Sequence, residues 1–395
     1  MQAVILAAGY GKRLWPFSEE LPKPMLAVAN KPLMEYLIEG LVLNNIRDII
    51  IVVGYKKERI LSYFQDGKKW GVNIRYVVQN QQLGTAHALY QARNLVQEEF
   101  LVLPGDNIVL PHALTTIKEV KGDAVLLTEC EEPSEYGVAY VSGRILKTIV
   151  EKPAVPDYNI ISTSIFKFAP AIFDEIERCL AVSRYELSDA IKEYGVKREI
   201  EAVTLSGVWK DVMYPWSIVE VNGMAVAQIR ERIGGSLDNS VRIHGKVSIG
   251  DDVVIHPGTC IHGPAIIGSG CEIGPSVVIL PYTSIGNNVR IAPFSIIENT
   301  VIMDNVAIGP HSTLQSSVIG EGTTVVSELK ALSGDATVEI EGKIVKVRHM
   351  GGVLGARCNV HHGVYMKPGT IVGNDSKIHP NAVLTGIIPS RAVVM

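Results

Sequence analysis

The 395-residue sequence is poor in cysteine, and its five cysteines (Cys130, Cys179, Cys260, Cys271 and Cys358) form no CxxC pair. An odd number at irregular spacing argues against a disulfide framework and a zinc site, and points to small buried thiols in a reducing compartment. No run of about 18 uncharged apolar residues occurs, the length a membrane-spanning helix needs, so no membrane partner is expected. A dominant charge is lacking too: the net charge is −4, with both signs interspersed. That removes any general attraction to nucleic acid or an anionic membrane, so a bound anion must be held by a local constellation. The opening MQAVILAAGYGKR has no basic leader and only a short apolar run, which makes a poor secretory signal. A cytoplasmic protein is the expectation. At 47% hydrophobic and 20% charged, the chain is globular and long enough for two or three domains.

Two grammars follow one another. Up to about residue 214, short apolar runs alternate with amphipathic stretches. Segments 3–8, 46–55, 72–79 and 100–106 read as strands, and 31–45, 56–70 and 85–96 as helices. This order implies an α/β fold: a Rossmann-like, doubly wound domain on a mainly parallel sheet. Ligands in such sheets gather beyond the carboxyl ends of the strands, here the residues after 8, 79 and 103. Residues 215–236 read as a helical linker.

From 237 to 395 a hexapeptide period takes over. Isoleucine stands at every sixth position from 243 to 297, and after one-residue slips the pattern resumes at Ile308, Leu314 and Ile319. It returns at Leu354, Val360, Met366, Val372, Ile378 and Leu384. Such regularity means stacked units, each covering its neighbour's apolar side chain. Six residues per strand and three strands per coil make a left-handed parallel β-helix. Residues 326–350 break the pattern with many charges and read as a projecting loop or arm.

The first strand ends in GYGKR. Gly9 and Gly11 permit positive φ and close approach of backbone N–H groups, and Lys12 and Arg13 flank them, a combination suited to phosphate. It is neither a GxxxxGK[ST] loop nor a complete GxGxxG. Lys23 follows between two prolines, which fix its direction. LAAGYGKRL and PKPMLAVANKPLMEY together resemble the signature of the sugar-phosphate nucleotidylyltransferases, with Lys12 where threonine or serine is usual. QNQQLGTAHAL (79–89) resembles the family's uridylyltransferases more than its thymidylyltransferases. LVLPGDN (101–107), YGVAYVSGRILKTIVEKP (136–153), YNIISTSIFKF (158–168) and GVWKDVMYPW (207–216) continue the match in order. Ser164 and Met213 stand where glycines are usual.

The resemblance implies roles residue by residue. Leu6, Ala8, Gly9, Gly11, Lys12, Gln79, Gly84 and Thr85 would bind the nucleotide, Gln79 suiting the imide edge of uracil or thymine. Arg13, Lys23 and Lys152 would be catalytic; Gly137, Glu151, Ser162 and Thr163 would hold the sugar; Asp106 and Asp211 would bind Mg²⁺. The partners would be a nucleoside triphosphate and a sugar 1-phosphate. The reaction would pass a nucleoside monophosphate from UTP or dTTP to a hexose or N-acetylhexosamine 1-phosphate, releasing pyrophosphate. The two-domain arrangement is similar to archaeal-type bifunctional UDP-N-acetylglucosamine pyrophosphorylases and to glucose-1-phosphate thymidylyltransferases. In the bifunctional enzymes a β-helix histidine serves acetyl transfer from acetyl-CoA, which nominates His311 in GPHSTLQSSVIG (309–320). An exposed corner histidine is the plainer reading, because the tyrosine, glycine and aspartate that follow it in those enzymes are missing. The flat faces of the prism suit a homo-oligomer, a trimer or higher. Three functions stay open: a nucleotidylyltransferase assembled by its β-helix, a bifunctional enzyme, and a non-catalytic regulatory homologue.

Overall fold

The computed structural model describes residues 1–109, 111–205 and 209–395. Gly207 and Val208 of GVWKDVMYPW lie outside the described residues. Tertiary contacts divide the chain into two compact bodies. The first comprises Met1–Tyr10, Leu21–Met25 and Leu33–Asp211, and the second Gly11–Glu20, Leu26–Pro32 and Val212–Met395.

The first body is built on β1 (Gln2–Ala7), α1 (Leu33–Leu43), β2 (Asp48–Val53), α2 (Lys57–Phe64), β3 (Asn73–Val78), α3 (Thr85–Tyr90) and β4 (Phe100–Pro104). It continues through β5 (Asn107–Val109), α4 (Pro111–Glu119), β6 (Asp123–Glu129), β7 (Gly137–Ser142), β8 (Ile145–Glu151) and β9 (Ile160–Phe168). α5 (Ile172–Ala181), α6 (Leu187–Lys197), β10 (Ile200–Thr204) and β11 (Trp209–Asp211) complete it. Nine strands form one sheet in the order β3-β2-β1-β4-β9-β6-β10-β8-β7.

Successive strand residues point to opposite faces, so each apolar run feeds two cores. Ala3, Ile5, Ile49, Ile51, Leu101 and Leu103 join one buried cluster, and Val4, Ile50, Val52, Phe100 and Val102 the other. α1 covers the first face with Met34, Leu37, Ile38 and Leu41, the i, i+3, i+4, i+7 stripe of an amphipathic helix. α5 and α6 cover the second with Ile172, Ile176, Ala190 and Ile191. The sheet is parallel through β3, β2, β1 and β4, as the alternating pattern predicts. Beyond β4 it is mixed: β9 runs antiparallel to both β4 and β6. β7 and β8 form an antiparallel hairpin. Short turns such as the one at Gly143 (φ +59) return the chain without a crossover helix.

The second body carries α7 (Ser217–Ala227) and three stacked parallel sheets of nine, nine and eight strands, a parallel β-helix. The isoleucine ladder fills its interior: Ile249, Ile267, Ile285, Ile302 and Ile319 lie in register on one sheet, each at most 1% exposed. Two boundaries differ from the sequence reading. Coil strands begin at Arg232–Ile233 and Ser236–Leu237, so the helical part of the expected linker ends at Ala227. The expected 326–350 interruption is narrower, because Leu329 and Ala331 are fully buried and Ala331 stacks between Leu314 and Met366. A small residue at the inward position, next to exposed Lys330, hides this coil from a search for isoleucine. The true insertion is a hairpin of β12 (Gly334–Ile340) and β13 (Lys343–Met350).

Candidate active site

A cavity of about 530 Å³ opens in the first body where β1, β3 and β4 end. Leu6, Ala8 and Gly9 line it after β1, Gln79 and Gly84 after β3, and Pro104 and Asp106 after β4. This is the position that strand order predicted. β8, β9 and β11 close the far side with Glu151, Lys152, Ser162, Thr163 and Asp211.

The charged centre lies at Lys23 and Asp106, whose Nζ and Oδ2 are 2.5 Å apart and whose side chains are 17% and 26% exposed. Lys23 begins a single 3-10 turn, and Pro22 and Pro24 on either side are both buried. β11 pairs antiparallel with β5 and sets Asp211 opposite Asn107, one residue from Asp106. Asn107 is buried and donates from Nδ2 to the Thr163 carbonyl at 3.2 Å, which locks this arrangement to β9. Tyr136 donates its hydroxyl to Asp211 Oδ1 at 2.9 Å. Burial holds the Asp211 carboxyl above the usual carboxylate range; the Asp106 charge adds to this, while Lys23 and the Tyr136 hydroxyl oppose it. Burial likewise pushes the Tyr136 hydroxyl up, with Asp211 beside it.

At the opposite end, Gln79 is 3% exposed, and its Nε2 reaches the Gly84 carbonyl at 3.1 Å and His87 Nδ1 at 3.0 Å. Both amide N–H groups are thus engaged within the protein, and donation to a base requires one of them to turn. Gly84 is a close approach: a Cβ there would stand 2.5 Å from the Tyr185 carbonyl oxygen. That carbonyl accepts from Ala86 N at 2.8 Å, and Thr85 Oγ1 donates to Glu186 Oε2 at 2.9 Å, tying the start of α3 to the start of α6.

On the sugar side, Gly137 pairs with Glu151, and a Cβ at 137 would lie 2.7 Å from Ile149 Cγ2. Glu151 faces the cavity, yet the surrounding protein keeps its carboxyl above the usual range, and Glu186 adds its charge. Lys152 and a hydrogen bond from Ser188 act the other way. Ser162 and Thr163 are buried, and the Thr163 hydroxyl donates to the Leu126 carbonyl at 2.8 Å. Ser164 keeps φ +60, the left-handed conformation for which glycine is the natural residue.

Residues 2–227 match the nucleotidyl transferase family. The chain belongs to that family. Residues 261–350 also match the GMPPB C-terminal domain. The bifunctional protein GlmU of Methanococcus maripaludis is 34% identical over 406 residues, covering 100% of this chain and 97% of that protein. A Sulfurisphaera tokodaii protein named bifunctional sugar-1-phosphate nucleotidylyltransferase/acetyltransferase is 32% identical, covering 97% of each chain. Among solved structures, a Bacillus anthracis protein described as a glucose-1-phosphate thymidylyltransferase, in complex with sucrose, is 28% identical. It superposes with a TM-score of 0.54 over 59% of this chain and 98% of its own.

In this nucleotidyl transferase the remaining signature residues belong to the second body. Gly11 takes φ +62 and opens the 3-10 turn Lys12–Leu14, with Leu14 N donating to Gly11 O at 2.9 Å. Arg13 Nε meets Glu341 Oε2 of the β12–β13 turn at 3.2 Å, and Nη1 meets Met213 Sδ at 3.4 Å. The cavity wall includes none of Gly11, Lys12 and Arg13. His311 stands exposed at a coil corner with φ +58, its ring stacked on Phe294 at 5.2 Å. Sequence reasoning missed Tyr136, Asn107 and Glu186. The first two lie inside quoted motifs, where a hydroxyl beside Gly137 and an amide beside Asp106 were available signals. Glu186 carries no signal, because only the fold brings it to Thr85.

Proposed function

We propose that this enzyme transfers a nucleoside monophosphate from UTP or dTTP to a hexose or N-acetylhexosamine 1-phosphate and releases pyrophosphate. The observation that carries this reading is the Lys23–Asp106–Asp211 cluster at the strand ends of the cavity. The acceptor phosphate is already an anion, so no general base is needed; the task is to bring anions together and neutralise charge. Lys23, held by its prolines, neutralises the α-phosphate, for which it exchanges Asp106. Gly9, Gly11, Lys12 and Arg13 hold the departing phosphates. Lys152 steers the sugar phosphate, while Glu151, Gly137, Ser162 and Thr163 surround the sugar.

Among the described residues no group of three or more His, Cys, Asp or Glu side chains forms a metal cage. Two adjacent carboxylates fit Mg²⁺, which takes one or two carboxylates and completes its shell with phosphate oxygens and water. Asp211, kept above its usual range by burial and by Asp106, gains from a neighbouring cation. Asp106 and Asp211 would hold the ion, which when bound supplies charge neutralisation at the phosphates. Tyr136 orients Asp211. Tyr136→Phe is therefore expected to raise the Mg²⁺ concentration for half-maximal turnover about tenfold, the usual scale for a group behind a metal ligand. A magnesium titration at fixed substrates checks this.

The decisive experiment crosses UTP, dTTP, ATP and GTP with glucose, N-acetylglucosamine, glucosamine and mannose 1-phosphates and follows pyrophosphate. One pyrimidine nucleotide and one sugar should stand out. Silence across the grid from folded protein would leave the non-catalytic reading. A second arm adds acetyl-CoA and an amino-sugar phosphate, because relatives named bifunctional match 97–100% of the chain. Release of free CoA thiol that His311→Ala abolishes would make His311 an acetyl-transfer base. The nucleotides are cytoplasmic metabolites, and we place the enzyme there; no helix among the described residues is long and apolar enough to cross a membrane. The flat stacked faces of the β-helix suit side-by-side packing, so a homo-oligomer is the assembly we propose.

A further inference from the structure

Asn374, 1% exposed, sits at a corner of a late coil of the β-helix. Its Oδ1 accepts from Ala356 N at 2.7 Å, joining one coil to the next. Its Nδ2 does something else: it donates to Pro16 O at 2.9 Å and to Glu19 Oε2 at 2.9 Å. Ser390 Oγ donates to the same Glu19 oxygen at 2.7 Å. Arg357, bound to Asp375 at 2.7 Å, also reaches Glu20 Oε1 at 2.9 Å. Three side chains thus converge on Pro16–Glu20, the continuation of the GYGKR turn.

The coil itself does not require an amide at 374. At the matching corner of an earlier coil, Asp304 Oδ1 accepts from Asn287 N at 2.7 Å, so a carboxylate serves the inter-coil bond equally well. What an aspartate cannot do is donate to Pro16 O and to the Glu19 carboxylate. The identity of residue 374 is therefore set by its outward partners, not by the stack.

We propose that Asn374, with Ser390 and Arg357, is a positioning residue for nucleotidyl transfer: the late coils of the β-helix hold the signature loop in its phosphate-binding geometry. This rests on the reading of Gly11, Lys12 and Arg13 as the triphosphate grip. The mechanical link is short. Trp15 N bonds to Lys12 O at 3.2 Å and Glu19 N to Pro16 O at 3.2 Å, so two consecutive 3-10 turns connect the anchored residues to Arg13. The β-helix is then part of the transfer apparatus as well as an assembly scaffold. A displacement of about 1 Å in a group that positions substrate can cost up to about 100-fold.

The test uses the full chain. Asn374→Asp keeps the bond to Ala356 and sets two carboxylates face to face. It should raise KM for the triphosphate about tenfold while kcat and the melting temperature stay near wild type. Adding Glu19→Gln should restore KM, because glutamine donates to the new aspartate; a merely structural role would show no such rescue. Glu19→Ala, which leaves the coil untouched, should raise KM alone and covers the case in which Asn374→Asp fails to fold. Unchanged KM in Glu19→Ala, or in folded Asn374→Asp, overturns the inference. Arg13→Ala separates the two claims. If it raises KM and the clamp variants do not, only the positioning role falls; if it leaves KM unchanged, the phosphate assignment falls and the positioning role with it.

Discussion

Asp106→Asn is expected to lower kcat at least about 100-fold, the scale of losing one electrostatic group at a phosphoryl or acyl centre. The substitution keeps shape and volume, so the melting temperature should hardly change. KM for the triphosphate should hold steady or fall. The reason is the 2.5 Å pair with Lys23: removing the carboxylate frees the ammonium for the α-phosphate while taking a ligand from the proposed magnesium site. Lys23→Met should differ in kind, raising KM and lowering kcat together, since the ammonium touches the phosphate in both ground and transition states. The double variant should be far from additive, because the two side chains are direct partners. Steady-state kinetics at saturating Mg²⁺ reads all three. Turnover of Asp106→Asn within a few-fold of wild type would remove Asp106 from the mechanism.

Much of the fold is legible because its two halves obey different periods. The alternating faces of Ala3–Ala8, Ile49–Val53 and Leu101–Leu103, and the helical stripe at Met34, Leu37, Ile38 and Leu41, both follow from local geometry. The isoleucine ladder follows from stacking. Where the ladder is carried by Ala331 instead of a branched residue the coil disappears from view, although the neighbours Leu314 and Met366 still close over it. The β12–β13 hairpin has a period-two signal in TVEI and KIVKV, with Val338 opposite Val345, but its many charges read only as a projecting loop or arm. The antiparallel strands beyond β4 were not legible either. Strand direction depends on which edge the chain returns to, and that is a tertiary choice.

The site divides in the same way. Lys23 could be picked out because two prolines restrict it, and Asp106 because it ends a buried strand. Ser164 looked like a lost glycine, yet the backbone keeps the glycine conformation at φ +60. The substitution therefore adds a side chain without changing the turn. What no local reading could supply is the company of the GYGKR turn. Asn374 lies 358 residues from Pro16, and Glu341 lies 328 residues from Arg13. Contacts of that range place Gly11–Glu20 in the β-helix body, although its sequence belongs to the nucleotidyl transferase signature.

Ile285→Ala probes that partition from the interior. Ile285 is 0% exposed and lies between Ile267 and Ile302, so removing its methyl groups empties space on both sides. A cost of about 2–5 kcal/mol is expected, as for other large-to-small changes in packed cores. Stacked coils sum nearest-neighbour terms, so Ile388→Ala on the half-exposed last coil should cost well under half as much. The melting temperature of the β-helix body should fall on the order of 10 °C for Ile285→Ala. The same coil carries a second load. Ile285 O accepts from Asn30 Nδ2 at 2.6 Å, and neighbouring Ser284 donates to Asn222 Oδ1 at 2.8 Å. Asn222 in turn accepts from Ala29 N at 2.9 Å. Loosening this coil therefore releases Leu26–Pro32, the second signature segment in the body, and pyrophosphate release should fail at the temperature where the β-helix melts. Calorimetry beside a temperature series of activity decides the matter: equal costs at 285 and 388 would contradict the nearest-neighbour stack, and activity outlasting the β-helix transition would show that the signature segments keep their form without it.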